Sequence, residues 1–352
     1  MLSTFWTQIK SWVNRAPADV VGIDCASNGV RLARIRQGAN SPLLAGLDTL
    51  PSVAIDEVTR TSTGPFPKSI DVLPIPLKVR AKYAALSAPS SEAVIKMLRV
   101  PDQFDSSDAK DVAARLGVEQ TDGYRVASRM LQAGTPRSEG HVLAAAMPDR
   151  LAAALLELLP SAGLPAPRAL LFSEMGVLNA FLNDPTVKAK EETVGLIHFD
   201  QDFSVIGLFH HGLLSQFRTF SLGAATLLKK VSRALNVDEE TAAGVLLDGA
   251  FDISHMIEDD YRSLKGHYVI CRDFMERSEN CRLQRLYITG PPALKQPFYA
   301  DAQIEDKLTD WDPLARWQAA ANGQELFSSE QAVDSWRWAA AMGGALSLLE
   351  RP

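Results

Sequence analysis

The segment from residue 195 to residue 214 carries the residues best suited to chemistry. An acidic turn with Asp200 and Asp202 lies between two apolar runs of strand-forming residues. In many nucleotide-binding proteins, a hairpin of this kind binds phosphate and metal through an acidic residue and small residues at the turn. Here the turn contains no glycine and is flanked by Phe199 and Phe203. The segment is therefore either a working phosphate site or a hairpin that has lost this chemistry.

A second strand–turn–strand unit lies near residue 20, where a small polar turn from 24 to 29 separates two strands. Helical segments follow both units, as the apolar spacing indicates. The predicted helices cover residues 105–116, 149–159, 173–182, 224–235, 237–249, 254–282 and 336–349. The length suggests two or three domains, and the order of segments predicts a mixed α/β protein with a weak internal duplication.

Other catalytic or metal-binding patterns find no support in the sequence. It contains no phosphate loop ending in Gly-Lys-Ser/Thr, no Gly-x-Ser-x-Gly turn and no His-Glu-x-x-His pair. His210 and His211 have no third ligand nearby in sequence, so we expect a solvated turn there. Cys25, Cys271 and Cys281 are odd in number and lack metal spacing. They indicate a reducing compartment and neither a disulfide framework nor a zinc site.

The bulk composition is that of an ordinary globular protein, with 46% hydrophobic and 22% charged residues. The net charge of −6 argues against nucleic-acid binding, which needs a basic surface. No apolar run reaches the length of a membrane span, and the first residues lack the layout of a signal peptide. The expected location is therefore the cytoplasm.

The N-terminal segment 1–16 predicts an amphipathic helix. Its polar face carries Lys10 and Arg15 and no acid. The other face forms an apolar stripe of Leu2, Phe5, Trp6, Ile9, Trp12 and Val13. Such a helix could lie on a membrane surface, in a groove of a partner or on its own protein body, because short helices need a covering surface.

Six segments, in this order and spacing, resemble the PilM family, the actin-like, FtsA-related component of type IV pilus assembly. They are VVGIDCASNGVRLARI, YAALSAPSSEAVIKMLRVP, VLAAAMPDRLAAALLELLPSAGLPAPRALLFSEMGVLNAF, the hairpin of 195–214 with FRTFSLGAATLLKKV, LYITGPPALKQPF and WRWAAAMGGALSLL. The resemblance extends from about Val20 to Leu349 and rests on segment order more than on exact motif residues.

The resemblance implies an α/β, actin-like (ribonuclease H-like) two-lobed fold with inserted 1C and 2B subdomains. Residues 1–16 would be the N-terminal helix. The remaining boundaries that it implies are 17–95 with 166–190 and 330–352 for domain 1A, 96–165 for domain 1C, 191–235 with 285–329 for domain 2A, and 236–284 for domain 2B.

The resemblance also implies a function. Members of the family bind ATP in the cleft between the lobes, lie on the cytoplasmic face of the inner membrane and bind the cytoplasmic tail of the bitopic pilus protein PilN. In an actin-like cleft, two glycine-bearing turns admit phosphate, an acid at each turn holds hydrated magnesium, and a Gly-Gly turn supports the adenosine.

At the first turn, Asp24 stands at the position of the family's acid, and Ser27 and Asn28 are candidate phosphate donors. The family's glycine is replaced by Ala26, which weakens this half of the site. The alternative is that Asp24 and Asn28 only satisfy a tight turn.

At the second turn, His198 stands at the acidic position and Asp200 at the glycine position. A neutral imidazole is a poor partner for hydrated magnesium, and a carboxylate facing the phosphate would repel it. A local shift could let Asp200 or Asp202 replace the missing acid. The favoured interpretation is a structural hairpin with solvated acids.

The adenosine turn keeps Gly290 but has Pro291 in place of the second glycine. Where the family often has a Glu and a Lys for the nucleoside, this sequence has Ala243 and either Leu246 or Leu247. These departures all weaken a nucleotide site.

Three hypotheses follow. The first is a scaffold without an enzymatic role, with no cofactor or with weak ATP and magnesium binding. It would bind a PilN-like tail on its 1A/1C surface, contact other pilus platform subunits, and lie peripherally at the inner membrane. The second is a working ATPase with a divergent cleft of Asp24, Ser27, Asn28, Asp200 or Asp202, Gly223 and Gly290. The third is the cytoplasmic part of a GspL-type secretion protein, against which the end of the chain at Pro352 argues.

Overall fold

The computed structural model describes residues 17–53, 71–90, 93–118, 122–135, 139–187, 189–248, 254–301, 304, 306–320, 328, 331 and 334–349. The predicted N-terminal helix, with its apolar stripe, lies outside these residues. The strands are β1 (Asp19–Ala26), β2 (Gly29–Gln37), β3 (Pro42–Leu50), β4 (Tyr83–Ala88), β5 (Val94–Val100), β6 (Tyr124–Gln132), β7 (Gly140–Pro148), β8 (Ala166–Phe172), β9 (Thr193–Phe199), β10 (Ser204–His210), β11 (Leu213–Phe220), β12 (Arg285–Thr289) and β13 (Leu308–Asp310).

The helices alternate with these strands along the chain. They are α1 (Ala109–Leu116), α2 (Asp149–Glu157), α3 (Ser173–Leu182), α4 (Ala224–Leu235), α5 (Glu239–Asp248), α6 (Ser254–Ser278), α7 (Pro292–Ala300), α8 (Ala315–Ala320) and α9 (Ala339–Leu349), the last preceded by a 3-10 helix, Ser335–Trp338. Among the described residues, no helix is both long and apolar enough to span a bilayer.

Two sheets share one strand order. The first is β3-β2-β1-β4-β8 and the second is β11-β10-β9-β12-β13. In each, three strands pair antiparallel in sequence order, and two further strands join parallel to the first of them. The strands β1 and β9 are buried almost throughout, as expected for strands covered on both faces. This repeat agrees with the internal duplication predicted from the sequence.

The core forms layers on both faces of each sheet. On its outer face the first sheet packs against α2, and the second sheet packs against α4, α6 and α7. Between the sheets, α9 covers the first sheet and α3 covers the second. The lobes are thus joined by two helices that lie back to back.

The helices α3 and α9 approach each other without intervening side chains, and we call them the helix pair. A Cβ atom built on Gly343 would lie 1.7 Å from the carbonyl oxygen of Gly176, and one on Gly176 would lie 2.5 Å from that of Ala340. On the other side of α9, a Cβ on Gly22 of β1 would lie 1.7 Å from the Ala341 oxygen. Glycine is needed at these positions because backbone contacts backbone.

A third sheet, β5-β7-β6, is antiparallel and carries α1 on one face. Its other face contributes Ile95, Met97, Leu131 and Leu143 to the cluster around the second sheet. The guanidinium of Arg99 also lies 4.7 Å from the centre of the Phe274 ring on α6. This sheet, inserted between β4 and β8, therefore contacts the second lobe as well as the first.

Candidate functional site

The two turns singled out in the sequence face each other across the interface between the sheets. The first connects β1 to β2 at Ser27 and Asn28, where Ala26 pairs with Gly29. The second connects β9 to β10 and is closed by a hydrogen bond of 2.8 Å from the Asp200 N–H to the Phe203 oxygen. Because both sheets have the same strand order, equivalent turns meet at the same end of the molecule.

Four residues join these turns directly, and we call them the clasp: Ser27, Asn28, Gln201 and Asp202. The Ser27 backbone N–H donates to Asp202 Oδ2 at 2.8 Å, and the Ser27 hydroxyl donates to Asp202 Oδ1. The Asn28 amide donates to Gln201 Oε1, also at 2.8 Å. The turns between which a phosphate group would have to lie are therefore hydrogen-bonded to each other.

The carboxylate of Asp202 makes the contacts that a phosphate group would make on the first turn. A backbone N–H and a serine hydroxyl are typical phosphate donors, and both point at this carboxylate. A nucleotide phosphate would have to displace it and would then lie close to a negative charge. Ser27, predicted as a phosphate donor, thus already donates its hydrogen bonds to the carboxylate of Asp202.

Asp24 lies behind the clasp and is 2% exposed. Its Oδ1 atom accepts hydrogen bonds from the hydroxyls of Ser87 at 2.8 Å and Ser173 at 2.6 Å. Burial, and secondly the charge of Asp200, raise the pKa of Asp24 to about 7, although the two serine hydrogen bonds act to lower it. This acid therefore faces an enclosed interior.

His198 and Asp200, at the predicted acid and glycine positions, are partners. His198 Nε2 lies 2.8 Å from Asp200 Oδ2, while Asp200 Oδ1 accepts the N–H of Gln201 at 2.6 Å. His198 is fully buried and Asp200 is 3% exposed. The expectation of solvated acids is therefore wrong for Asp200, because the imidazole and the backbone hold this carboxylate inside the protein.

The start of α4 is also occupied by the second turn. The N–H groups of Ala224 and Ala225 donate to the carbonyl oxygens of Asp200 and Gln201, both at 2.9 Å. Free N–H groups at a helix N-terminus are a common anion site. Here two of them bind the protein's own carbonyl groups.

Gly223 and Gly290 both pack against this turn. A Cβ on Gly223 would lie 2.5 Å from the Gln201 oxygen, and one on Gly290 would lie 2.6 Å from Phe199 Cβ. Gly290 also has a φ of +135°, a region that L side chains rarely adopt. Close packing alone accounts for both glycines.

Two buried charged residues near the clasp were missed by the sequence interpretation. Arg31 Nη2 donates to Asn28 Oδ1 at 2.7 Å, and the guanidinium interacts electrostatically with Asp24, Asp200 and Asp202. The Glu174 carboxylate accepts from the Ser90 hydroxyl at 2.5 Å, and burial raises its pKa. For Arg31 the sequence offered one signal, the row of basic residues Arg31, Arg34 and Arg36 along the second strand. The sequence carried no such signal for Glu174.

The remaining candidates for metal binding have structural partners. His210 Nδ1 lies 2.8 Å from the Thr193 hydroxyl, and His211 Nδ1 lies 3.0 Å from the Glu191 oxygen. Within the described ranges, no group of three or more histidine, cysteine, aspartate or glutamate side chains is arranged to hold a metal ion.

No protein family and no curated protein matches this sequence. Among solved structures, the chain is similar to the PilM-PilN type IV pilus biogenesis complex, with a TM-score of 0.68 and 17% identity over 94% of this chain and 98% of that chain. It is also similar to a protein of unknown function with an actin-like ATPase fold from Bacteroides thetaiotaomicron, with a TM-score of 0.45 and 11% identity over 85% and 92% of the two chains. At such identities the similarity concerns the fold. The predicted actin-like, two-lobed α/β fold is confirmed.

Proposed function

We propose that this protein is a scaffold of a type IV pilus or a related assembly platform, in which nucleotide binding is weakened or lost. The observation that supports this most strongly is the clasp, in which Asp202 takes the hydrogen bonds of Ser27 that a phosphate would need. A fold alone does not establish an activity, so the proposal depends on the chemistry of this site.

The residues present do not fit a nucleotide with magnesium. The first-turn acid, Asp24, is enclosed, and the second position has His198 bonded to Asp200. A buried carboxylate beside a second one disfavours a further anion. We therefore assign the cleft residues a structural role, in which they hold the two lobes together.

The proposed partner is the cytoplasmic tail of a PilN-like bitopic membrane protein, bound on the predicted 1A/1C surface, with the protein at the cytoplasmic face of the inner membrane. Two things support this: the complex whose fold the chain shares and the segments that resemble the PilM family. The domain boundaries given above remain predictions on which this placement depends.

Titration of the purified protein with a fluorescent ATP analogue and magnesium tests the nucleotide part. We expect no saturable signal up to millimolar nucleotide, because the phosphate donors are already bonded. The control is Ser27→Ala, an exposed turn variant that removes one clasp hydroxyl. Micromolar binding by the natural protein that is weakened in Ser27→Ala and lost in Asp24→Ala would favour the ATPase hypothesis instead.

Calorimetry with a synthetic PilN-like tail peptide from the same organism tests the partner. We expect saturable binding that is the same with and without magnesium and ATP, since the clasp makes the cleft insensitive to nucleotide. A scrambled peptide serves as the control. Failure of the tail peptide to bind would remove the partner assignment, and binding only with ATP would contradict the scaffold role.

A further inference from the structure

A cavity of about 500 Å³ lies at the opposite end of β2 from the clasp, and we call it the basal cavity. Its volume is within the range of natural binding pockets. Polar groups of Gln37, Ser41, Asn183 and Arg316 stand around it. Its apolar walls are formed by Pro42, Pro185, Trp317, Leu346 and Leu349.

The basal cavity lies where the helix pair ends. Leu346 and Leu349 belong to the last turn of α9, and Asn183 directly follows α3. Arg316 Nη1 donates to the Asn183 oxygen and ties α8 to this point. An apolar group bound here would therefore contact the last turn of α9 and the residues that directly follow α3.

The N-terminal chain enters the described fold beside this cavity. The N–H of Gln37, a lining residue, donates to the Ala18 oxygen at 2.8 Å. Asp19, the first residue of β1, pairs with Arg36. Ala18, one residue after the start of the described chain, thus lies within a few ångströms of the cavity wall.

The apolar stripe has both the reach and the chemistry to fill the basal cavity. Trp12 is six residues before Ala18, which spans about 9 Å as a helix and at most about 20 Å when extended. An indole ring needs an apolar wall and one hydrogen-bond acceptor, and the side chains of Gln37 and Ser41 can accept at the rim.

We propose that the N-terminal segment 1–16 docks onto its own protein at the basal cavity, with Trp12 and Val13 of the apolar stripe as the anchor. Docking in cis covers a stripe that would otherwise be exposed, and it leaves Lys10 and Arg15 on the solvent side. This inference is independent of the proposed function, because it involves neither the clasp nor the partner tail.

Limited trypsin digestion of the full protein tests the docking, with cleavage after Lys10 and Arg15 followed by mass spectrometry. Cleavage of a docked segment requires it to open, so Pro42→Asp, which places a charge in the cavity wall, is expected to accelerate cleavage at least about tenfold. Leu43→Asp is the matched control. Leu43 is the next residue of β3, is 50% exposed and does not line the cavity.

The double variant Trp12→Ser with Val13→Ser leaves the described core unchanged and is expected to accelerate cleavage to the same extent. Equal cleavage in the natural protein and all variants would overturn the proposal. Protection that disappears on dilution would assign the segment to a second copy. Protection that arises only with phosphatidylglycerol vesicles would assign it to a membrane, and either result contradicts docking in cis.

Discussion

Replacing Gly343 with alanine is expected to destabilise the protein by about 3 kcal/mol or more, the upper end of the range for overpacked cores. The added Cβ would lie 1.7 Å from the Gly176 oxygen and 2.8 Å from the Ala180 nitrogen. Both are backbone atoms, so no side chain can rotate away and the helix pair must separate. The free energy of unfolding in urea, measured by circular dichroism, gives the result.

The neighbouring Gly344 provides the matched control. A Cβ at this position would meet Ala85 Cβ and Leu171 Cδ1 at 3.7 Å, which is ordinary van der Waals contact. Since alanine is the better helix former, Gly344→Ala is expected to change stability by no more than about 1 kcal/mol, in the favourable direction. Similar losses for both variants would show that helix packing is not the cause.

Asp24→Asn is expected to stabilise the protein at pH 8 more than at pH 5. The pKa of Asp24 is raised from 3.8 to about 7, mainly by burial. Between these values the folded state keeps a proton that the unfolded state has lost, so the stability of the natural protein falls as pH rises and levels off above about pH 7. Each unit of pKa is worth about 1.4 kcal/mol, so the gain from the substitution should grow by about 3 kcal/mol from pH 5 to pH 8.

Urea unfolding of both proteins across this pH range is the measurement. Asparagine keeps an oxygen that can accept from Ser87 and Ser173, so the local hydrogen bonds can persist. Asp259→Asn, at a side chain that is 95% exposed, is the control and should leave the pH profile unchanged. If the free energies of unfolding of Asp24→Asn and the natural protein differed by the same amount at all pH values, Asp24 would be ionised throughout this range.

Much of the fold could be predicted from periodicity. The bounds of α3 and α4 agree with the predicted 173–182 and 224–235, because their apolar spacing is helical and their ends are well marked. In contrast, β8 follows a stretch rich in proline, and β13 has three residues. Neither strand has a clear local sequence pattern. Each is a strand because it pairs with a neighbour, β8 with β4 and β13 with β12. The predicted start of α1 at 105 is four residues early, because Asp108 caps the helix.

Only part of the candidate functional site could be predicted from the sequence. His198 and Asp200 could be recognised as departures from a phosphate turn because the resemblance to the PilM family implies an acid and a glycine at these positions. The clasp could not be predicted, because Ser27 and Asp202 are 175 residues apart and their contact depends on how the two sheets meet. The burial of Asp200 could not be predicted for the same reason, because it also depends on how the two sheets meet.

The helix pair also has a mechanical consequence. Rotation of one lobe against the other would require movement between the helices α3 and α9, and these two are in backbone contact at Gly176 and Gly343. The clasp joins the two turns near the start of α3, where Ser173 bonds to Asp24, and the contact of Arg99 with Phe274 joins the third sheet to α6. The two lobes are therefore joined by three sets of contacts, and together these contacts resist rotation of one lobe against the other. We expect a force applied to one lobe to pass to the other with little rotation between them.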